Sequence, residues 1–303
     1  MTFQFLVDGL IAGSMIGLGA IGITLTYSIL RFANFAHGEF LSWGAYIALA
    51  LSGALSFLFS ALKTPVGPFS FGWSLPLAGI LAILLTGMLA LLLDAILFGR
   101  LRAQRGAVII MVMASFGASL ALRSMLEFIF TSKPAYYTKA LQIAVNIGGG
   151  LRVTPDQMLA LALTAVVVLA IHLLLTRTGI GRSMRAVSEN PALAGVVGID
   201  VRMVIRAVWI VGAGLACIAG VMAGLLVQIR PYLGHDLLLP LFAAAILGGI
   251  GSVPGAMLAG LIVGLSEAAA VQLIGAEWRA AISFVILVAV LLIRPRGLFG
   301  RQA

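Results

Sequence analysis

The chain has 303 residues, of which 62% are hydrophobic and 10% are charged. A soluble domain of this size is about one-quarter charged and about half apolar, and no water-soluble fold buries so much apolar surface. The composition therefore excludes a soluble protein and predicts a chain that is solvated by lipid.

The formal net charge of +9 comes from basic residues that lie between the apolar runs. This distribution is typical of cytoplasmic loops rather than of a nucleic-acid interface. The single cysteine, Cys217, excludes an internal disulfide framework and provides no metal cluster.

Apolar runs long enough for a transmembrane helix of roughly 20 residues recur along the whole chain. We predict an all-α, polytopic transmembrane bundle that forms one domain over residues 1–303, with spans at 9–30, 39–60, 75–98, 107–129, 157–176, 203–227, 256–274 and 279–293. Residues 237–250 are too short for a comfortable crossing. They are interpreted either as a ninth span or as a re-entrant or broken helix lining a protein-walled cavity, so the bundle has eight or nine spans.

Charges set the expected orientation. The N-terminus carries Asp8 and no positive charge before its first apolar run, so we expect a retained span rather than a cleaved signal. The positive-inside rule places the more basic set of loops in the cytoplasm. These loops carry Arg31, Arg100, Arg102, Arg105, Arg177, Arg182, Arg185, Arg202, Arg294, Arg296 and Arg301. The C-terminus is then cytoplasmic, and the N-terminus lies outside if residues 237–250 cross.

The segment RFANFAHGEF (31–40) places Asn34, His37 and Glu39 where two spans meet. One interpretation is a cytoplasmic turn in which Asn34 caps the next helix and His37 is solvated. The other is a broken helix near a transport pathway or gate, made possible by the backbone freedom of Gly38.

Glu267 falls well inside one predicted span, and Arg123 and Glu127 fall inside another, where ionisable groups are costly and mark functional candidates. Arg123 and Glu127 are four residues apart, which predicts an intrahelical pair. Glu267 has no partner at helical spacing, so we expect it to meet a polar group on a neighbouring helix. Small residues every fourth position, as at Gly9, Gly13 and Gly17, predict close helix packing within the chain or against a partner.

The loop 177–202 (RTGIGRSMRAVSENPALAGVVGIDVR) is predicted to contain a two-turn helix. Asn190 suits its N-cap, Pro191 its first position and Gly198 its left-handed stop. Leu193, Ala194 and Val197 give this helix an apolar face. Such a short helix needs a surface to dock on, either the bilayer and its own bundle or a groove on a separate soluble subunit.

The glycine-rich stretch 248–255 includes Gly248, Gly249, Gly251 and Ser252. It resembles a phosphate-binding loop superficially, but no basic residue or strand accompanies it. We interpret it as a tight turn between two helices, with Pro254 starting the second, and as a candidate part of a translocation path. The sequence contains no G-x-x-x-x-G-K-[ST] motif, so any energy from ATP is expected to enter through another polypeptide.

Several segments together are similar to the branched-chain amino acid ABC transporter permeases, and closest to their shorter, H-type subunit. They are RFANFAHGEFLSWGAY (31–46), the motif of Arg185, Glu189, Asn190, Pro191, Ala194 and Gly198, AAAILGGIGSVPGAMLAGLIVGLSE (243–267) and RPRGLFG (294–300). The resemblance implies a bacterial inner-membrane permease that lacks a cofactor of its own. It also implies a second homologous permease, two ATPase subunits that bind the cytoplasmic loop, and a periplasmic substrate-binding protein.

By that resemblance, Arg185, Glu189, Asn190, Pro191, Leu193, Ala194 and Gly198 couple the chain to the ATPases. Candidates for the path or gate are Asn34, His37, Glu39, Gly248, Gly249, Gly251, Ser252 and Glu267. The alternative function is a stand-alone secondary transporter or channel, for which Glu267 is the only candidate coupling site. An enzyme is not expected, since no nucleophile–base pair or metal-ligand cluster is evident in the sequence.

Overall fold

A computed structural model describes residues 3–104, 106–140, 142–148, 150–294 and 297–299. It shows a helical bundle with one small β-hairpin. Eight of the described helices are long and apolar enough to cross a membrane. The predicted class, a polytopic α-helical membrane protein, is confirmed.

The helices follow the predicted order. They are α1 (Gln4–Leu30), α2 (His37–Leu58), α3 (Ser74–Leu93), α4 (Gly99–Ala103), α5 (Val108–Phe130), α6 (Pro155–Arg177), α7 (Gly179–Glu189), α8 (Pro191–Val196), α9 (Val201–Leu226), α10 (Leu233–Gly248), α11 (Val253–Ile274) and α12 (Arg279–Ile293). A π-helical turn, Asp94–Phe98, joins α3 to α4, so that Ser74–Ala103 is one continuous span. Short 3-10 helices lie at Ser60–Lys63 and Ala276–Trp278.

Helices α1 and α9 form the centre of the bundle. In the most apolar stretch of each, 72% of the residues are buried, compared with 17% in α6 and 6% in the span that contains α12. Lipid tails are as apolar as Leu, so a peripheral helix gains little by hiding its side chains from them. The burial pattern therefore separates central from lipid-facing helices.

Small residues let α1 and α11 approach closely. Gly9, Gly13 and Gly17 of α1 face Gly260 and Gly264 of α11, and a Cβ atom added to Gly13 would lie 2.8 Å from the nearest α11 backbone carbon. The prediction that these small residues pack helices within the chain is confirmed for this pair of helices.

The β-hairpin lies between α5 and α6 and was not predicted. Its strands β1 (Val145–Gly148) and β2 (Leu151–Val153) pair antiparallel. Nearby, Ala135 and Ile229 exchange two backbone hydrogen bonds of 2.8 Å, which tie this loop to the turn after α9. Strands this short carry too little alternation to be recognised from sequence.

Tyr137 anchors the same loop to α2. Burial raises the pKa of its hydroxyl well above the ordinary value, so the group stays protonated at any physiological pH. The hydroxyl donates a hydrogen bond of 2.9 Å to the carbonyl oxygen of Ala45.

Helix α10 contains most of the ambiguous stretch 237–250. The residue Ile229 before it is bonded to Ala135, on the side where α5 ends. The turn after it lies beside the last two turns of α1, because the Gly251 N–H donates to Thr24 Oγ1 at 2.6 Å. Its 16 residues cover roughly 24 Å at 1.5 Å per residue. Helix α10 is thus a regular helix that is shorter than each of the eight candidate spans.

Candidate functional site

Residues 178–198 fold into the two short helices α7 and α8, which join α6 to α9. The side chain of Asn190 accepts hydrogen bonds of 3.0 Å from the N–H groups of Ala192 and Leu193. Pro191 occupies the first turn of α8, and Gly198 adopts φ +86° just beyond it. The predicted cap, first turn and left-handed stop are all confirmed.

One side of this helix pair packs on the bundle, whereas the apolar residues at the end of α8, here called its bare tip, are exposed. Met184 and Ala194 are buried in a cluster with residues of α1 and α9. Leu193, Val196 and Val197 are 61%, 83% and 68% exposed. The predicted apolar face is therefore divided, since Ala194 faces the chain's own bundle while Leu193 and Val197 point outward.

Two arginines fix α7 in place. The Nη2 group of Arg31 donates hydrogen bonds of 3.1 Å to the carbonyl oxygens of Ser188 and Glu189, and Arg185 donates to the carbonyl oxygen of Leu175. The last carbonyls of a helix lack intrahelical partners and attract positive charge. Sequence reasoning treated Arg31 only as a loop charge and missed this contact.

The interpretation of residues 31–40 as a solvated cytoplasmic turn is wrong. Asn34 is 4% exposed and His37 is 0% exposed, because the chain turns back into the bundle after α1. The imidazole of His37 lies against Gly22 of α1, where an added Cβ atom would come within 2.8 Å of the ring.

This re-entering segment is held by side-chain hydrogen bonds. The Phe35 N–H donates to Ser115 Oγ of α5 at 3.1 Å. Asn34 Oδ1 accepts from the Ala36 N–H at 3.1 Å, and its side chain makes no cap on α2. The structure therefore shows a buried break between α1 and α2, and a role of these residues in a pathway or gate stays a prediction.

Glu39, Ser119 and Arg123 form a buried polar cluster between α2 and α5. Ser119 Oγ donates a hydrogen bond of 2.9 Å to Glu39 Oε1, and Arg123 Nε lies 3.7 Å from the same oxygen. Arg123 thus pairs across the helix interface, and the predicted pair with Glu127 is wrong. Helical spacing permitted that pair, but α5 turns Arg123 toward α2, where a buried charge needs its partner.

The glycine-rich stretch forms the predicted turn between α10 and α11. Gly249 and Gly251 adopt φ +90° and +87°, a region that side chains with a Cβ atom seldom enter. The Ser252 side chain caps α11, and the backbone of Gly248 touches α11 too closely to admit a Cβ atom.

Glu267 is paired with α12, as expected for a polar partner on a neighbouring helix. Its Oε2 lies 2.8 Å from Arg279 Nε, and its Oε1 accepts a hydrogen bond from Ser283 Oγ. The carboxylate is 2% exposed, so this pair holds α11 and α12 together.

The candidate residues thus fall into separate groups. The helix pair α7–α8 contains all the predicted coupling residues up to its stop at Gly198. A cleft of about 680 Å³ separates α7 from the α10–α11 turn, with Arg31, Arg185 and Glu189 on one wall and Gly251 on another. Asn34, His37 and Glu39 lie deeper in the bundle, and Glu267 is near the opposite side.

A bundle with eight apolar helices of membrane-spanning length defines a multi-pass membrane protein. The family described as branched-chain amino acid transport system / permease component matches residues 5–291. The chain belongs to this family. It is accordingly a transport permease and not an enzyme.

Similar proteins share nearly the full length of the chain. It is 30% identical to the high-affinity branched-chain amino acid transport system permease protein LivH of Escherichia coli K12, and 32% identical to the corresponding protein BraD of Pseudomonas aeruginosa. In each case the match covers 98% of this chain and 95% of the relative. A probable LivH of Methanocaldococcus jannaschii is 28% identical, with 98% and 92% covered. The solved PsaBC structure from Streptococcus pneumoniae in complex with Fab covers 97% of this chain and 93% of its own, at 15% identity and a TM-score of 0.49, a likeness too low to carry an argument.

Proposed function

We propose that the chain is one of two permeases in an ATP-driven importer of branched-chain amino acids, and that it couples to ATPase subunits through α7 and α8. The relatives LivH and BraD are permease proteins of high-affinity branched-chain amino acid transport systems, which supports the substrate class. A periplasmic binding protein delivers the amino acid, and two ATPases bind ATP on the cytoplasmic side.

The bare tip of α8 is the observation that carries this proposal. Val196 and its neighbours expose apolar side chains on a helix of six residues that is too short to be stable alone. Its base is nevertheless rigid, because Ala194 is buried and Asn190 closes its first turn. A small rigid helix with an apolar tip fits a groove on a second protein.

Coupling then follows from the contacts of α7. ATP-driven closure of the two ATPases would move α8, and α7 with it. Arg31 connects the end of α7 to the end of α1, and the segment after Arg31 re-enters the bundle toward Glu39. A shift at the cytoplasmic side would thereby reach the membrane-embedded part of the pathway and open it alternately to either side.

The proposed orientation places α7 and α8 in the cytoplasm of a bacterial inner-membrane protein. The cytoplasmic ends of α1 and α6 then carry Arg31 and Arg177, in accord with the positive-inside rule. If α10 counts as a ninth crossing, this orientation has the C-terminus in the cytoplasm and the N-terminus outside.

The alternative of an autonomous secondary transporter loses the coupling site that the sequence offered for it. Glu267 is bonded to both Arg279 and Ser283, so its charge is neutralised within the chain. Proton or cation coupling through this carboxylate would require both bonds to break.

The test is Val196→Arg in the full importer, purified through a tag on this chain. We expect the ATPase subunits to be lost from the particle and ATP-dependent leucine uptake in proteoliposomes to fall at least tenfold, because a charge replaces the apolar contact. Val145→Arg is the matched control, since Val145 is 55% exposed on the hairpin at the other side, and it should retain the ATPases. Retention of both ATPases and uptake in Val196→Arg would contradict the proposal.

A further inference from the structure

The buried cluster of Glu39, Ser119 and Arg123 lies at membrane depth. Arg123 is the sixteenth of the 23 residues of α5, so it lies roughly 22 Å from one end of the helix and 10 Å from the other. Glu39 and Arg123 are 1% and 7% exposed. Ionisable groups at such a position are costly, and they persist where they serve the pathway.

The two charges form an ion pair without a direct hydrogen bond. The distance of 3.7 Å between Arg123 Nε and Glu39 Oε1 exceeds hydrogen-bond length. Glu39 Oε2 is buried and has no hydrogen-bond partner among the described residues. The Arg123 guanidinium instead lies over the ring of Tyr232, 5.3 Å from its centroid. A pair built only for stability would close to a direct hydrogen bond.

A polar surface leads to this cluster from the side where α5 ends. Tyr232 is 45% exposed, and His235 and Asp236 in the first turn of α10 are also exposed. Asp236 lies 3.5 Å from Arg230. These polar side chains are unusual on a membrane helix, and together with Tyr232 they form a polar surface beside the Arg123 guanidinium.

Apolar rings flank the cluster at the other end. Phe35, one turn before Glu39 in sequence, lies 6.1 Å from Phe116 and 5.4 Å from Phe242, measured between ring centroids. Phe116 is one turn of α5 away from Ser119. A ligand with one positive and one negative group and a short apolar side chain would find each part matched here.

We infer that Glu39 and Arg123 form a transient intramembrane site for an amino-acid zwitterion, with the ammonium group on Glu39 and the carboxylate on Arg123. Guanidinium binds carboxylate in a bidentate geometry, and the orphan Oε2 of Glu39 is free to accept from an ammonium group. The aromatic rings then hold the aliphatic side chain. This inference rests on the proposed function, because it takes the transported solute as the ligand.

The first test removes both charges together, in Glu39→Gln combined with Arg123→Met. A buried ion pair that serves only the fold tolerates neutral replacements of similar volume. We expect the complex to assemble and its ATPase to respond to the binding protein within twofold of the original, while leucine uptake falls at least tenfold. Glu127→Gln on the same helix is the matched control and should leave uptake unchanged. Uptake within twofold of the original in the double variant would overturn the inference.

The second test measures binding without uptake. In the assembled complex in nanodiscs, Ser119→Cys is combined with Cys217→Ala, and thiol modification of this chain is followed by mass. We expect leucine to slow modification at least threefold, whereas isovalerate, which lacks the ammonium, and isoamylamine, which lacks the carboxylate, do not. Protection by the one-charge analogues equal to that by leucine, or no protection by leucine, would overturn the inference.

The two tests separate this inference from the proposed function. Leucine protection in a complex whose uptake needs no ATP would refute the importer while supporting the site. ATP-dependent uptake that persists in the neutral double variant would refute the site while supporting the importer.

Discussion

The guanidinium of Arg31 lies 3.1 Å from the carbonyl oxygen of Glu189, a residue 158 positions away in sequence. Arg31 itself adopts a left-handed backbone with φ +57°, and its N–H donates to the Tyr27 carbonyl at 2.8 Å. The contact joins the end of α7 to the point at which α1 stops and the chain turns back into the bundle. The contact therefore links α7 to the segment that carries Asn34, His37 and Glu39.

Replacing Arg31 with Ala should uncouple ATP hydrolysis from transport. Two hydrogen bonds from a charged donor are lost, each worth about 1.5–3 kcal/mol when buried and less at this exposed position. We expect leucine uptake to fall roughly fivefold while ATPase activity stays within about twofold of the original protein. The measurement is the amount of leucine taken up per ATP hydrolysed. Arg182→Ala on α7 is the control, since Arg182 makes no hydrogen bond or ion pair with another described side chain. Parallel loss of uptake and ATPase activity in Arg31→Ala would contradict the prediction.

Replacing Asn190 with Ala should loosen α8. The variant leaves the N–H groups of Ala192 and Leu193 without their acceptor, a loss of about 1 kcal/mol. Because α8 has only six residues, this loss should weaken the association of the ATPases with the permease. We expect the ATPases to dissociate at a lower salt concentration when the complex is washed with increasing salt. Asn190→Asp keeps an accepting oxygen and should associate normally. Equal dissociation of both variants would show that the cap has no part in docking.

Enlarging Gly13 should separate α1 from α11. An added Cβ atom meets the α11 backbone at 2.8 Å, and overpacking of this kind costs about 1–3 kcal/mol. We expect Gly13→Ala to lower the temperature at which the purified protein aggregates, as followed by size-exclusion chromatography. Gly79→Ala is the matched control, because an added Cβ atom there meets nothing within 4 Å. It should be neutral or slightly stabilising, and equal destabilisation by both changes would refute the packing argument.

Removing Arg279 should destabilise the protein more than neutralising Glu267. Arg279→Ala leaves a carboxylate that is 2% exposed with only the Ser283 hydroxyl as partner, and uncompensated buried charge costs about 3–5 kcal/mol. The half-exposed position of Arg279 lowers that cost through solvent screening. Glu267→Gln removes the charge and keeps the bond to Ser283. The measurement is the aggregation temperature of each variant, which we expect to be lower for Arg279→Ala than for Glu267→Gln. The opposite order would contradict the ion pair between Glu267 and Arg279.

Much of the fold was predictable from the sequence because each span must hide its own backbone from lipid. Apolar runs of sufficient length therefore became helices at nearly the predicted positions, and the glycine spacing in α1 already identified a packing face. The start and the end of α8 were equally predictable, because Asn190, Pro191 and Gly198 act only on neighbouring backbone groups. The hairpin β1–β2 was missed because short strands outside the bilayer leave almost no periodic signal.

The partners of the buried polar groups were decided by the tertiary structure. The spacing of Arg123 and Glu127 satisfied the local rule for an ion pair, yet Arg123 turns toward Glu39, which lies 84 residues earlier. One of two interpretations of the sequence placed His37 in a solvated turn, yet the chain carries it back beside Gly22. The sequence determines which segments enter the membrane, because the free energy of transfer into lipid depends on the residues of each segment alone. Which charges meet inside it depends on how the helices rotate and pack, and that is a property of the whole bundle.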